Sequence, residues 1–163
     1  MAEGGVTSMI MLVVALLVSG VAGVVLVDSW GDVSQTLGKQ RIKSEMDAST
    51  QIDFAGDPMN SAYDNVDPED ITFYLQNSGT QTLDTASLGV IVDGVSIPTS
   101  DITVSVLGGG AWASGQVVSV NVEDSDFAYS DGDEVKVSIV VMSEQYKGIK
   151  GSDTLQGTLR LKV

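Results

Sequence analysis

The chain has 163 residues, a formal net charge of −14, and neither Cys nor His. Those two absences exclude disulfides, thiolate metal sites, cysteine nucleophiles and imidazole general bases. The acidic excess opposes binding to a phosphate backbone and leaves no basic patch for anionic lipid heads.

The charge is unevenly placed. Met1 to Ser44 holds three acids and three bases, so 19 acids and five bases fall on the remainder. That remainder reads as a well-solvated acidic surface, of the kind that also stays hydrated in a salty medium. The length allows one domain of ordinary size plus an anchor.

Val6 to Val27 is a run of 22 residues without a charge. About 20 helical residues cross a bilayer core roughly 30 Å thick, so this run reads as a membrane-embedded or filament-core helix. A soluble helix apolar on every side needs protein around its whole circumference, and no other segment looks helical enough to supply it. A secretory signal wants a positive leading segment and a shorter apolar centre. Met1 to Gly5 contains no Lys or Arg, so the expectation is an uncleaved helix.

Within the run, Ala15, Ser19 and Gly23 recur every four residues, with Gly20 beside them. Small residues at this spacing let helix backbones approach closely in lipid, which makes them a candidate helix–helix assembly stripe. Beyond Val27 polarity rises, yet Trp30, Val33 and Leu37 keep a helical spacing, and Ile42 and Met46 extend it with slight drift. Trp30 falls at the height of a membrane interface, where amphipathic rings settle, and is the candidate interface anchor. Gly31 and Gly38 would loosen this stem. Lys39, Arg41 and Lys43 form a small basic cluster that argues for a cytoplasmic position of the downstream part; the acids interleaved with them weaken that argument. The resulting division is a transmembrane helix over 1–29, a helical stem over 30–50 and a β domain over 51–163.

From Ile52 onward Gly, Asn, Asp and Ser punctuate short stretches with alternating apolar residues, the pattern of half-buried strands. Ile71, Phe73 and Leu75 precede the turn Asn77-Ser78-Gly79. Leu88 to Val92 runs into Asp93-Gly94, a dipeptide that favours a type I′ hairpin. Ile102, Val104 and Val106 stop at the glycines 108–110. Val118, Val120 and Val122 follow, then Val135, Val137, Ile139 and Val141, and finally Leu159, Leu161 and Val163 on one face. Six to eight strands without an intervening helix predict an immunoglobulin-like antiparallel β-sandwich without the Cys and Trp framework of antibody domains.

Asp124, Asp126, Asp131, Asp133 and Glu134 crowd one segment. Their order does not match a calcium loop, and a wet, turn-rich connection accounts for them. The glycine triplet lacks the Lys-Ser/Thr and the helix of a phosphate loop. The sequence therefore offers no catalytic residue, no cofactor site and no metal site, and the expected protein is not an enzyme.

An apolar N-terminal helix, a short stem and a small acidic β domain in that order resemble the archaeal flagellin-like family. This family includes the archaellum accessory (stator) proteins F and G as well as the archaellins. Gly4 to Ala15 looks like the family's helix start. Ile71 to Gly79, then Thr82-Leu83-Asp84, then Val90-Ile91-Val92-Asp93-Gly94 look like its strand, Asn-x-Gly turn, "TLD" segment and hairpin.

The resemblance implies a membrane-anchored stator component, closer to G than to F, with its β domain outside the cell. Other stator or filament subunits and surface-layer protein would be its partners, and homo-oligomers are expected. The alternative it implies is a subunit of an extracellular filament with the helix in the core. In either case Glu3 is a solvated terminal acid or, as near the start of pilin-type helices, a partner for a neighbouring subunit's N-terminus.

Overall fold

The computed structural model describes residues 3–66 and 68–163. They form one long helix, α1 (Glu3–Ser49), and nine strands: β1 (Ile52–Phe54), β2 (Ser61–Asp64), β3 (Asp70–Asn77), β4 (Gly89–Val92), β5 (Val95–Ser96), β6 (Ile102–Val106), β7 (Val117–Glu123), β8 (Glu134–Met142) and β9 (Ser152–Lys162). Two compact units result, residues 1–41 and 42–163.

The alternation in the sequence has a direct physical outcome. In β3, Ile71, Phe73 and Leu75 are buried and Tyr74 is exposed, because successive side chains on a strand point to opposite faces. The same holds for Val118, Val120 and Val122 on β7 and for Val135, Val137, Ile139 and Val141 on β8. Val92 and Val95 pair across Asp93-Gly94. Both turn residues have positive φ, 46° and 88°, as the type I′ geometry demands.

Strand order along the sheet is β5-β4-β8-β9-β2-β3-β7-β6, with β1 also paired to β3. With β2 to β9 taken in turn as strands A, B, C, C′, D, E, F and G, the two halves run A-B-E-D and C′-C-F-G, the immunoglobulin arrangement. Inward residues of both halves, such as Phe73 and Val120 from one and Val90 and Ile139 from the other, belong to a single buried cluster. The sheet is thus curled on itself into two layers with one shared core.

Three expectations need correction. The sheet is mixed, because β2 and β9 pair in parallel at Ser61 with Leu161 and Ala62 with Lys162, and this short contact joins the two halves. Nine strands are present where six to eight were expected, since β1, β2 and β5 are too short for an apolar alternation to register. Val163 lies beyond β9 and is exposed rather than inward; its N–H donates to Asp131.

Candidate assembly site

The apolar part of α1 is exposed along its described length, from Met9 to Val27. Among the described residues this is the one helix long and apolar enough to cross a bilayer. Ala15, Ser19 and Gly23 are all exposed. A Cβ built on Gly20 or Gly23 would meet nothing within 4 Å, so close approach of another backbone is open there. Trp30 is exposed as well. The side chain of Glu3 lies outside the described residues.

The last turns of α1 behave differently, because they belong to the β domain. Met46 is only 4% exposed. Lys43 Nζ donates to Asp47 Oδ1 at 2.5 Å, and the same carboxylate oxygen accepts the backbone N–H of Ser152 at 2.8 Å. Thr50 Oγ1 donates to the Met46 carbonyl at 2.7 Å. Two backbone N–H groups, of Thr80 and Gln81, donate to the Ser49 carbonyl. The carbonyls left over at this helix end thereby find partners in the domain.

Two glycines make that docking possible. A Cβ on Gly79 would collide with the Ser49 carbonyl and the Gln51 N–H, and one on Gly151 with the Met46 carbonyl and Thr50. The Asn77-Ser78-Gly79 turn is therefore more than a strand terminator. Asn77 is fully buried; its Nδ2 donates to the Gln81 and Trp112 carbonyls, and its Oδ1 accepts from Gly79 N–H. Sequence reasoning found the turn but not the helix end that it receives.

The "TLD" segment has an equally concrete role. Leu83 is buried and bridges both Trp112 and Ser143. Asp84 accepts from Ala86 N–H at 3.1 Å and pairs with Lys150 at 2.9 Å.

Lysine neighbours set the electrostatics of these acids. The Lys43 ammonium holds the Asp47 carboxyl below the usual range, and Lys150 does the same for Asp84. Asp47 is 38% exposed, so solvent screens the pair and its worth is modest. A lowered native pKa contributes stability above the unfolded value, near pH 4, which is lost as pH falls through the folded value. The thermal midpoint of the β domain should therefore exceed that of Asp47→Asn at pH 6 to 8, with the gap closing below about pH 4. Melting both proteins across that range by circular dichroism checks it; a gap unchanged at acid pH would show that the ion pair is not its cause.

The acidic segment resolves into turns. Asp124 Oδ1 accepts from Asp126 N–H, Asp133 Oδ2 from Ser130 N–H, and Asp131 pairs with Lys162. No group of three or more acids among the described residues is arranged to hold a metal ion. Nearby, burial and the adjacent Asp93 carboxylate push the Tyr129 hydroxyl up to about 12. That hydroxyl donates to Asp93 at 3.1 Å, while Tyr63 donates to Glu69. Tyr129 thereby ties the loop before β8 to the β4–β5 turn through Asp93, and its N–H donates to the Tyr63 hydroxyl at 3.2 Å, which ties the loop to β2.

The sequence model described as archaeal-type flagellin matches residues 2–150. No curated protein matches the chain. Among solved structures, the CooA pilin subunit from enterotoxigenic Escherichia coli is similar over 69% of this chain and 95% of that chain, at 10% identity and a TM-score of 0.20. So low a score carries no argument.

Proposed function

The chain belongs to the archaeal-type flagellin family, and from that membership we propose that it is a non-enzymatic, membrane-anchored component of the archaellum stator. In this reading the apolar helix sits in the membrane and the β domain lies outside the cell, where it links the motor to the envelope. A rotary filament needs a fixed reference, and an anchored domain that binds surface-layer protein or a neighbouring stator subunit supplies one.

The observation that carries the reading is the helix. Its charge-free stretch, at 1.5 Å per residue, is about 33 Å long, close to the thickness of a bilayer core. Asp28 and Asp32 end that stretch, and Trp30 between them suits the interface. The acidic domain adds support, because copies crowded into a filament shell repel one another whereas a sparse anchored component does not.

A second reading, a filament subunit with the helix in a packed core, is favoured by the flagellin match itself and by the open stripe of Ala15, Ser19 and Gly23. Imaging separates the two. The full chain and a shortened chain beginning at Ile42 are purified and examined by electron microscopy, with surface-layer protein added to the shortened one. Discrete membrane particles and capture of surface-layer protein are the expected result; long filaments with the helix at their centre would sink the stator role. Protease treatment of intact cells should remove the β domain, and protection of that domain would overturn its outside placement.

A further inference from the structure

The segment that enters the β domain from α1 is fastened to β9 at successive points, and the contacts ascend together along both stretches of chain. Asp47 Oδ1 accepts the Ser152 N–H at 2.8 Å, and Ile52 N–H donates to Asp153 Oδ2 at 2.9 Å. The Phe54 ring occupies the space that a Cβ on Gly157 would need, so that glycine admits it. Ser61 and Ala62 then pair with Leu161 and Lys162. Residues 47, 52, 54, 61 and 62 thus meet 152, 153, 157, 161 and 162, and the entering segment follows β9 in the same direction from its first residue to its last.

Direction matters, because strands that run in parallel have both their starts at one end. Tension on the start of one and the finish of the other acts along both strands, and every contact between them is loaded at once. Tension on the two starts opens the contacts one after another. The helix arrives at the starting end, where Met46 and Thr50 are buried beside Gly151. The 11 residues of β9 carry the chain about 35 Å from there. At its finish Leu161 exchanges backbone bonds with Gly132 and Asp133, and Lys162 pairs with Asp131. Along the way β9 is held to β8 by an antiparallel ladder from Ser152 to Arg160, so load on β9 is shared with the core.

We propose that this seam is a shear clamp, which passes load arriving through α1 into β9 along the strands and on to the far end of the domain. The proposal rests on the stator reading in one respect: it takes α1 to be where load arrives. The rest is geometry. Among the described strands β2 with β9 is the one parallel pair, and every other pair is antiparallel. An antiparallel entering segment would set its start beside the finish of β9, and the same pull would peel it away contact by contact.

The sequence has no cysteine, so handles can be attached at chosen sites. Full chains in detergent micelles carry Ser44→Cys with either Val163→Cys or Gln145→Cys, all at exposed positions, and are stretched between DNA handles in an optical trap. Grips at 44 and 163 load the seam in shear; grips at 44 and 145, in the loop before β9, load it from its starting end. Rupture force should be at least about twofold higher in the first geometry at equal loading rate, because several weak contacts break together instead of singly. Unfolding there should occur in a single step. Asp153→Ala, which removes the Ile52 contact, should lower the first force more than the second. Equal forces in the two geometries would overturn the clamp. So would an early step at low force that frees the chain only as far as β2, or a first force indifferent to Asp153→Ala. Imaging reports on the stator role separately: filaments would end that role, and the trap would still read the clamp.

Discussion

Replacing Trp112 by Ala should cost the β domain about 3–5 kcal/mol, the usual loss for an aromatic truncated in a packed core. Trp112 is 1% exposed and is the largest fully buried side chain among the described residues. It comes from the loop between β6 and β7, not from the third strand, where immunoglobulin domains of antibodies keep their buried Trp. Its indole N–H donates to the Gln116 carbonyl at 3.1 Å, and its own carbonyl accepts from Leu83 N–H and Asn77 Nδ2. Loss of the ring leaves a cavity and removes one of the two donors to the Gln116 carbonyl, which also accepts from the Asn77 N–H at 3.0 Å.

Domains of this size have total stabilities of about 5–15 kcal/mol, so the variant should lose a large share of its reserve. Trp112→Phe keeps most of the ring volume and should lose less than half as much. Urea unfolding followed by circular dichroism, which does not depend on the deleted fluorophore, measures both. Equal midpoints for wild type and Trp112→Ala would mean that the loop does not seal the core.

A chain beginning at Ile52 should be less stable than one beginning at Ile42 by at least about 2–5 kcal/mol, the range for removal of a single buried Met side chain. The shorter chain lacks Met46 and Thr50, which are 4% and 1% exposed. It also lacks Asp47, whose carboxylate satisfies the Ser152 N–H. Gly79 and Gly151, which exist at this site to admit backbone, would face a void. Met46→Ala in the longer chain should reproduce much of the loss, and comparison of urea midpoints for all three chains checks the assignment. If both shortened chains unfold together, the end of α1 is a tether and not part of the core.

This second result bears on mechanism. Between Glu3 and Ser49 no loop intervenes, and the helix's final turns are bound into the β domain through Asp47, Met46 and Thr50. In the proposed stator role, force applied to the domain meets hydrogen-bonded helix at that junction, not an extensible linker.

Much of this was legible from residue order. The charge-free run determined an unbroken apolar helix, because such a stretch can hide its backbone from lipid or protein only by bonding within itself. Alternating Val and Ile determined strands and their inward faces, and Asp93-Gly94 determined a hairpin, because these are preferences of a few adjacent residues. Tertiary structure alone decided which strands are neighbours, including the parallel contact of β2 with β9. It also drew Trp112 from a glycine-flanked loop into the core and made the end of α1 part of the β domain. The physical reason is separation along the chain: Asp47 meets Ser152 across 105 positions, and local periodicity records that a face must be buried without recording what buries it.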